Sequence, residues 1–370
     1  MIYFDHNATT PLDPRVLDAM HPYLTTFYGN PSSLYRSGRV VRSAIDTARE
    51  QVAALVDAQP TQIIFTSGGT EANNLALNSA HAKHRIVISA IEHPSIIEPA
   101  NNITPGNNCT VLTVNDQGII DPSSIESLVE HIDIPTFVSI MLANNETGAI
   151  QDIATITQSL DHRKLMIHTD AVQAIGKIPV SFKQLDVNLM SLSSHKIYGP
   201  KGCGALVVDQ RNKIEPILIG GGQENNSRAG TENVAAIVGF GKAAELALQE
   251  LKHRSLHCAE LRKILEQELN NIPGMTIFAE NVERLPNTVQ FGLKGINGEM
   301  LLMQLDKKNI AVSSGSACKS GGEKASSVLT AMGVDPQLAK SAIRISLGKD
   351  NTQDQITEFI TVLKSFLIER

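Results

Sequence analysis

The amino-acid sequence predicts an α/β protein: a large domain whose mostly parallel sheet is covered by helices on both faces, and a smaller α+β domain. Three observations predict it. Between Ile63 and Val208, short and nearly all-apolar runs alternate with amphipathic helical patterns, as strands buried on both faces require. Most of these runs end in polar or glycine-bearing turns, and the turns beyond the carboxyl ends of the strands are where open parallel sheets place their ligands. Beyond Pro273-Gly274 the order changes to strand patterns grouped around single helices. The division this suggests gives residues 15–250 to the large domain, and residues 1–14 with 251–370 to the small one.

Composition narrows the function. A chain of 370 residues with 42% hydrophobic content has enough apolar surface for two cores. The net charge of -6 and the lack of a long Lys/Arg run argue against direct nucleic-acid binding. No apolar stretch approaches a membrane span, and Met1-Ile2-Tyr3-Phe4-Asp5-His6 has neither a basic start nor an apolar leader, so a cytoplasmic protein without membrane contact is expected. Cys109, Cys203, Cys258 and Cys318 show no metal-type spacing, which points to neither a disulfide framework nor a metal site.

In chain order, a polar loop Asp5 to Pro11 precedes a helix capped by Asp13 with Pro14 at its first position. Val41, Ile45, Ala48, Val52 and Leu55 mark a second helix from about Ser37 to Val56. Strands follow at Ile63 to Phe65, Arg85 to Ser89, Thr110 to Val114, Phe137 to Leu142, Leu165 to His168, Val187 to Leu192 and Gly204 to Val208. The pattern from Glu232 to about Asn271 has a polar middle and reads as two helical segments spanning the domain boundary. The small domain then shows strands at Thr276 to Ala279 and Thr288 to Gly292, a helix from Asn297 to Lys307, and strands at Ile310 to Ser313 and Ala342 to Ser346. A helix from Thr352 to Leu367 closes the chain.

The turn Ser193-Ser194-His195-Lys196 presents one lysine at a strand end. Partial desolvation there would leave a neutral amine able to form a Schiff base with an aldehyde cofactor, which suggests pyridoxal phosphate. Taken alone, Lys196 reads more readily as a solvated turn residue; the other strand-end residues are what overturn that. Asp170 could hold the pyridine nitrogen protonated, or simply cap the next helix. Gly69 and Thr70 at a helix start, with Ser193 and His195, suit a phosphate. His93 could stack on the ring or move a proton, or be an ordinary loop histidine. Gln173 could bond the phenolic oxygen. Arg344, between Ile343 and Ile345 in a strand, needs an anion or an ion pair, and a substrate carboxylate would serve. Cys318 lies in Ser313-Ser314-Gly315-Ser316-Ala317-Cys318-Lys319-Ser320-Gly321-Gly322, a small-residue setting unlike that of a packing cysteine. Lys319 and Lys324 nearby favour its thiolate.

With Thr66-Ser67-Gly68-Gly69-Thr70-Glu71-Ala72-Asn73-Asn74, Asn144-Asn145-Glu146-Thr147-Gly148, Asp170-Ala171-Val172-Gln173, Ser193 to Gly202, Arg228-Ala229-Gly230-Thr231-Glu232-Asn233 and Ser313 to Cys318, nearly the whole chain resembles one family. These stretches resemble the NifS/IscS-type cysteine desulfurases, members of the aspartate-aminotransferase-like (fold type I) pyridoxal-phosphate enzymes. The resemblance implies conversion of L-cysteine to L-alanine, with the sulfur left as a persulfide on Cys318 and passed to an acceptor protein such as an iron-sulfur scaffold or a thiolation enzyme. It implies a homodimer in which Thr231 reaches the phosphate of the neighbouring subunit's cofactor. It also places Asn145 beside the cofactor and, with Arg344, at the substrate carboxylate. The loop after Cys318 lacks the Leu-Glu-Pro-Ser segment common in the family, and the sequence stops at Arg370, where housekeeping members carry a further scaffold-docking segment.

Competing readings are a selenocysteine lyase or aminotransferase on the same cofactor, and a binding protein that keeps the fold without turnover. A loop cysteine is superfluous to a transaminase. The joint presence of Lys196, Asp170, His93 and Cys318 weighs against a mere binder.

Overall fold

The structure is a computed structural model that describes residues 1–80, 84–103, 109–129, 134–160, 165–314 and 325–368. Its centre is a seven-stranded sheet in the spatial order Ile63–Thr66, Gly204–Val208, Leu189–Ser193, Leu165–Asp170, Thr136–Ser139, Arg85–Ser89, Cys109–Leu112. Gly204–Val208 runs antiparallel to both of its neighbours, and every other adjacent pair is parallel. The alternation of side chains along each strand feeds the packing on both faces of this sheet. Ile63, Phe65, Val87, Val138, Met190 and Val207 pack on one face with the helices Pro14–Thr25, Arg36–Leu55 and the first part of Val234–Asn270. Ile64, Ile86, Ile88, Phe137, Leu189 and Leu206 pack on the other with Gly69–Ser79 and Pro94–Ile103.

A second core lies under an antiparallel sheet ordered Ser313–Ser314, Ile343–Ser346, Thr288–Leu293, Met275–Ile277. The N-terminal strand Ile2–Tyr3 pairs in parallel with Ile310–Ala311, and Ile2 and Phe4 pack into this second core. The single strand expected from Ile310 to Ser313 is therefore two short ones: Ile310–Ala311 faces the N-terminus, and Ser313–Ser314 turns onto Ile343–Ser346.

The expectation of two helical segments from Glu232 is corrected. Val234–Asn270 is one helix of 37 residues. From Lys242 to Asn270 it contains neither Gly nor Pro, and the buried Arg254 of its polar middle is paired rather than solvated. Arg254 Nη2 meets Glu250 at 2.6 Å, Glu250 also takes Arg15 at 2.6 Å, and the Arg254 guanidinium lies 5.1 Å over the Tyr198 ring. Ala243, Ala244 and Ala247 pack into the large core, whereas Cys258, Leu261, Leu265 and Leu269 pack into the second, so the helix passes from one core to the other unbroken.

No helix among the described residues is long and apolar enough to cross a membrane.

Candidate active site

The turns beyond the strand ends meet at one cavity of about 370 Å³. Lys196, Asp170, His93, Gln173 and Arg344 all line it. So do the expected phosphate residues Gly69, Thr70, Ser193 and His195, together with Asn145. A roomier groove of about 570 Å³ between the helices Pro14–Thr25, Arg36–Leu55 and Val234–Asn270 contains none of these residues. Thr231 is exposed and is not part of the cavity wall. Cys318 lies outside the described residues.

Lys196 ends the one-turn helix Ser194–Lys196 that follows the strand Leu189–Ser193. Its Nζ donates to the backbone carbonyls of Asn7 at 2.5 Å and Ala8 at 2.7 Å, so the amine is turned inward rather than out into solvent. Asp170 closes the strand Leu165–Asp170 and is buried. Its Oδ1 accepts from Val172 N–H at 2.9 Å, which is the turn-forming role. Its Oδ2 accepts from Asn73 Nδ2 at 2.7 Å, which locks the carboxylate beside the cavity.

The anion end is built from backbone. The first N–H groups of the helix Gly69–Ser79 have no intrahelical partners. A Cβ on Gly69 would lie 2.9 Å from Val172 Cγ2, so only glycine lets this helix start pack so closely on the turn after Asp170. Next to it the Ser193 hydroxyl is buried with no hydrogen-bond partner among the described residues. A buried hydroxyl left unpaired is costly, and a phosphate oxygen at this spot would satisfy it; the donor set therefore fits a phosphorylated cofactor. His195 contacts Thr9 Oγ1 through Nδ1 at 3.1 Å. Burial, with the charges of Lys196 and Lys201, lowers its pKa to about 4, so it meets an anion as a neutral ring.

His93 is likewise neutral, because burial lowers its pKa, with Lys196 acting in the same direction against the opposing charge of Asp170. Its Nδ1 accepts the Ser95 N–H at 3.1 Å, so the ring proton sits on Nε2. Glu92, one residue earlier, points the other way into the core. Its Oε1 takes the Ser89 hydroxyl and, at 2.7 Å, the Met141 N–H, and burial raises its pKa to about 8.

Arg344 has the ion pair its strand position called for. Its Nη2 meets Asp5 Oδ1 at 2.7 Å and its Nη1 donates to the Asn145 carbonyl at 3.0 Å, at the cavity edge. Several wall residues were not assigned a role from the sequence. Asn73 holds Asp170. Asp5 orients Arg344. Glu146, whose pKa burial raises, takes Ser326 Oγ at 2.6 Å and Gln290 Nε2 at 3.1 Å. Asn7 is the hub: besides taking Lys196 on its carbonyl, it donates through Nδ2 to Thr288 Oγ1 at 2.9 Å. The signals for Asn7 were the polar loop Asp5 to Pro11 and the place of Tyr3-Phe4-Asp5-His6-Asn7-Ala8-Thr9-Thr10 among the stretches that carry the family resemblance.

With this geometry in hand, similarity to known proteins is informative. The family described as aminotransferase class-V matches residues 2–359. A cysteine desulfurase of Trichormus azollae is 43% identical over 376 aligned positions, covering 100% of this chain and 93% of that protein. The cysteine desulfurase IscS of Dictyoglomus turgidum is 41% identical, covering 99% of this chain and 94% of its own. Among solved structures, a NifS-like protein from Rickettsia africae superposes with a TM-score of 0.91 at 39% identity, over 99% of both chains.

Proposed function

The chain belongs to the aminotransferase class-V family and is a pyridoxal-phosphate-dependent cysteine desulfurase, and on that premise we propose how its own residues divide the work. The observation that carries the assignment of roles is the cavity itself, where an inward-turned lysine, a buried aspartate and an unpaired serine hydroxyl at a helix start face one space. Bound there, pyridoxal phosphate supplies an electron sink for the α-carbon of an amino acid. Lys196 holds the cofactor covalently, Asp170 faces the pyridine nitrogen, and Gln173 meets the phenolic oxygen. Gly69, Thr70, Ser193 and His195 hold the phosphate.

Arg344 and Asn145 orient the carboxylate of L-cysteine. Arg344 is already aimed by Asp5, so a bidentate grip needs little rearrangement of the guanidinium. The Lys196 amine would move the proton at the substrate α-carbon. His93, neutral with its proton on Nε2, lines the cavity and would hand a proton to the substrate sulfur. Cys318 takes that sulfur as a persulfide, leaving L-alanine, and passes it to an acceptor protein, of which an iron-sulfur scaffold is one class. The division of labour also suggests that residues 15–250 bind the cofactor while residues 1–14 and 251–370 carry the cysteine loop. The passage of Val234–Asn270 from one core to the other supports that division.

A cytoplasmic homodimer completes the reading. In it the exposed Thr231 reaches the phosphate of a second copy, which accounts for its place outside this chain's own cavity.

The test is to incubate the protein with L-cysteine and reductant and to quantify alanine and sulfide. Wild type is expected to make both. Lys196→Ala is expected to lose the covalently held cofactor, and Cys318→Ala to keep it but release no sulfide. Sulfide release by Cys318→Ala at the wild-type rate would remove Cys318 from the mechanism.

A further inference from the structure

Lys177 is a lysine that the proposed reaction does not use. It is buried behind the cavity, and among the described residues no carboxylate pairs with it. Its Nζ donates to Gln173 Oε1 at 2.7 Å and to Asn7 Oδ1 at 2.9 Å. Gln173 in turn donates through Nε2 to the Asn7 carbonyl at 2.9 Å. We propose that Lys177 is a positioning residue that clamps the Gln173 amide with its nitrogen toward the cavity, so that the phenolic oxygen of the cofactor ring meets a donor. This rests on the reading of Gln173 as the ligand of that oxygen.

The clamp follows from hydrogen-bond complementarity. An amide offers an acceptor at one end and donors at the other, and a flip of Gln173 would set NH₂ against the Lys177 donors and oxygen against the Asn7 carbonyl. With Oε1 taken by Lys177 and one N–H taken by Asn7, one amide N–H is left for an anionic oxygen in the cavity. Burial, reinforced by the charges of Lys196 and Arg344, pushes the Lys177 amine well below its ordinary pKa. Two of its N–H bonds are matched by the two acceptors Gln173 Oε1 and Asn7 Oδ1. Asn287 Nδ2 adds a second bond to Asn7 Oδ1 at 3.1 Å, so Asn7 stays anchored and the stress of losing Lys177 falls on Gln173.

The readout is the pH midpoint of the visible band of the bound cofactor. A hydrogen bond to the ring oxygen favours its anionic form, and so favours loss of the proton it shares with the Lys196 nitrogen. Losing that bond raises the midpoint. Gln173→Leu in the holoenzyme is expected to raise it by about one pH unit, the size of one hydrogen bond to a charged group. Lys177→Met is expected to reproduce at least half of that rise, and the double variant to rise no further than Gln173→Leu alone. Should Lys177→Met fail to accumulate, Lys177→Gln is too short to reach both oxygens and reads the same midpoint.

An unmoved midpoint in Lys177→Met would overturn the inference, as would a double variant that shifts by the sum of the two, since a sum marks a separate charge effect. If Gln173→Leu itself leaves the midpoint in place, the assignment of Gln173 fails and the clamp with it. If wild type shows no visible band at all, the fault lies in the cofactor reading and not in Lys177.

Discussion

Replacing Ser193 with alanine is expected to move two measurements in opposite directions. In the chain without cofactor, the Ser193 hydroxyl is buried and has no partner among the described residues, a situation that costs about 1–3 kcal/mol relative to an apolar group of the same shape. Ser193→Ala removes that cost and adds only a small void, so the apoprotein is expected to be as stable as wild type or more stable, by up to about 1 kcal/mol. The same hydroxyl is placed to donate to a phosphate oxygen. A hydrogen bond to a charged group contributes about 1.5–3 kcal/mol, so losing it weakens cofactor binding about 10- to 150-fold. The assay pairs urea unfolding of the apoprotein with a cofactor titration followed by absorbance. If Ser193→Ala destabilises the apoprotein and leaves affinity unchanged, the hydroxyl is bonded within the protein, and the argument that the cavity is built for a phosphate loses its main support.

Two buried groups tie stability to pH in opposite senses. His168 sits between Ser139 and Ser191, and burial depresses its pKa to about 3. Its contribution is present above the unfolded value of about 6.5 and is lost as pH falls toward 3, so from pH 7 to pH 5 wild type is expected to lose about 2 kcal/mol more than His168→Gln. Parallel urea curves for the two proteins would contradict this. Glu92 has its pKa raised to about 8 by burial, so its contribution is complete below about 4.5 and fades as pH rises through 8. Glu92→Gln is expected to gain stability relative to wild type between pH 5 and pH 9, as read from thermal midpoints at each pH. Arg344→Lys keeps the charge but not the fork that Asp5 and Asn145 aim. It is expected to raise KM for L-cysteine about tenfold or more with a smaller change in kcat; an unchanged KM would place the carboxylate elsewhere.

Much of the fold was legible because each strand of the large sheet is a short apolar run bounded by a turn. Arg85–Ser89 and Gly204–Val208 fall where the sequence put them, and the residues of both sheet faces alternate as the apolar pattern requires. The long helix was misread for an equally physical reason. A polar stretch such as Glu250 to Ser255 looks like a solvated break when only hydrophobic periodicity is followed. The structure instead buries Arg254 against Glu250 and Tyr198 and carries the helix through. Likewise, no local signal in Ile310 to Ser314 could divide the stretch into two strands, because the division is imposed by two different partners, Ile2–Tyr3 and Ile343–Ser346.

The site divides along the same line. That Lys196, Asp170, His93, Gln173 and Ser193 meet at one cavity was legible because each closes or follows a strand, and the sheet brings strand ends together whatever the loops do. Asn7 and Lys177 were not, since their significance comes from a long-range fit between an N-terminal loop and a turn 170 residues later. Yet that fit decides where the Lys196 amine sits. Ile2 and Phe4 are rooted in the second core, and the carbonyls of Asn7 and Ala8 immediately beyond them take the Lys196 amine. Asn7 Nδ2 also reaches the Asn145 carbonyl at 3.2 Å, on which Arg344 rests as well. The lysine on the large sheet and the arginine on the small one are thus registered against each other by a single loop. The order of that loop, more than the local chemistry of either strand end, sets the geometry in which the Arg344 guanidinium and the Lys196 amine face the cavity.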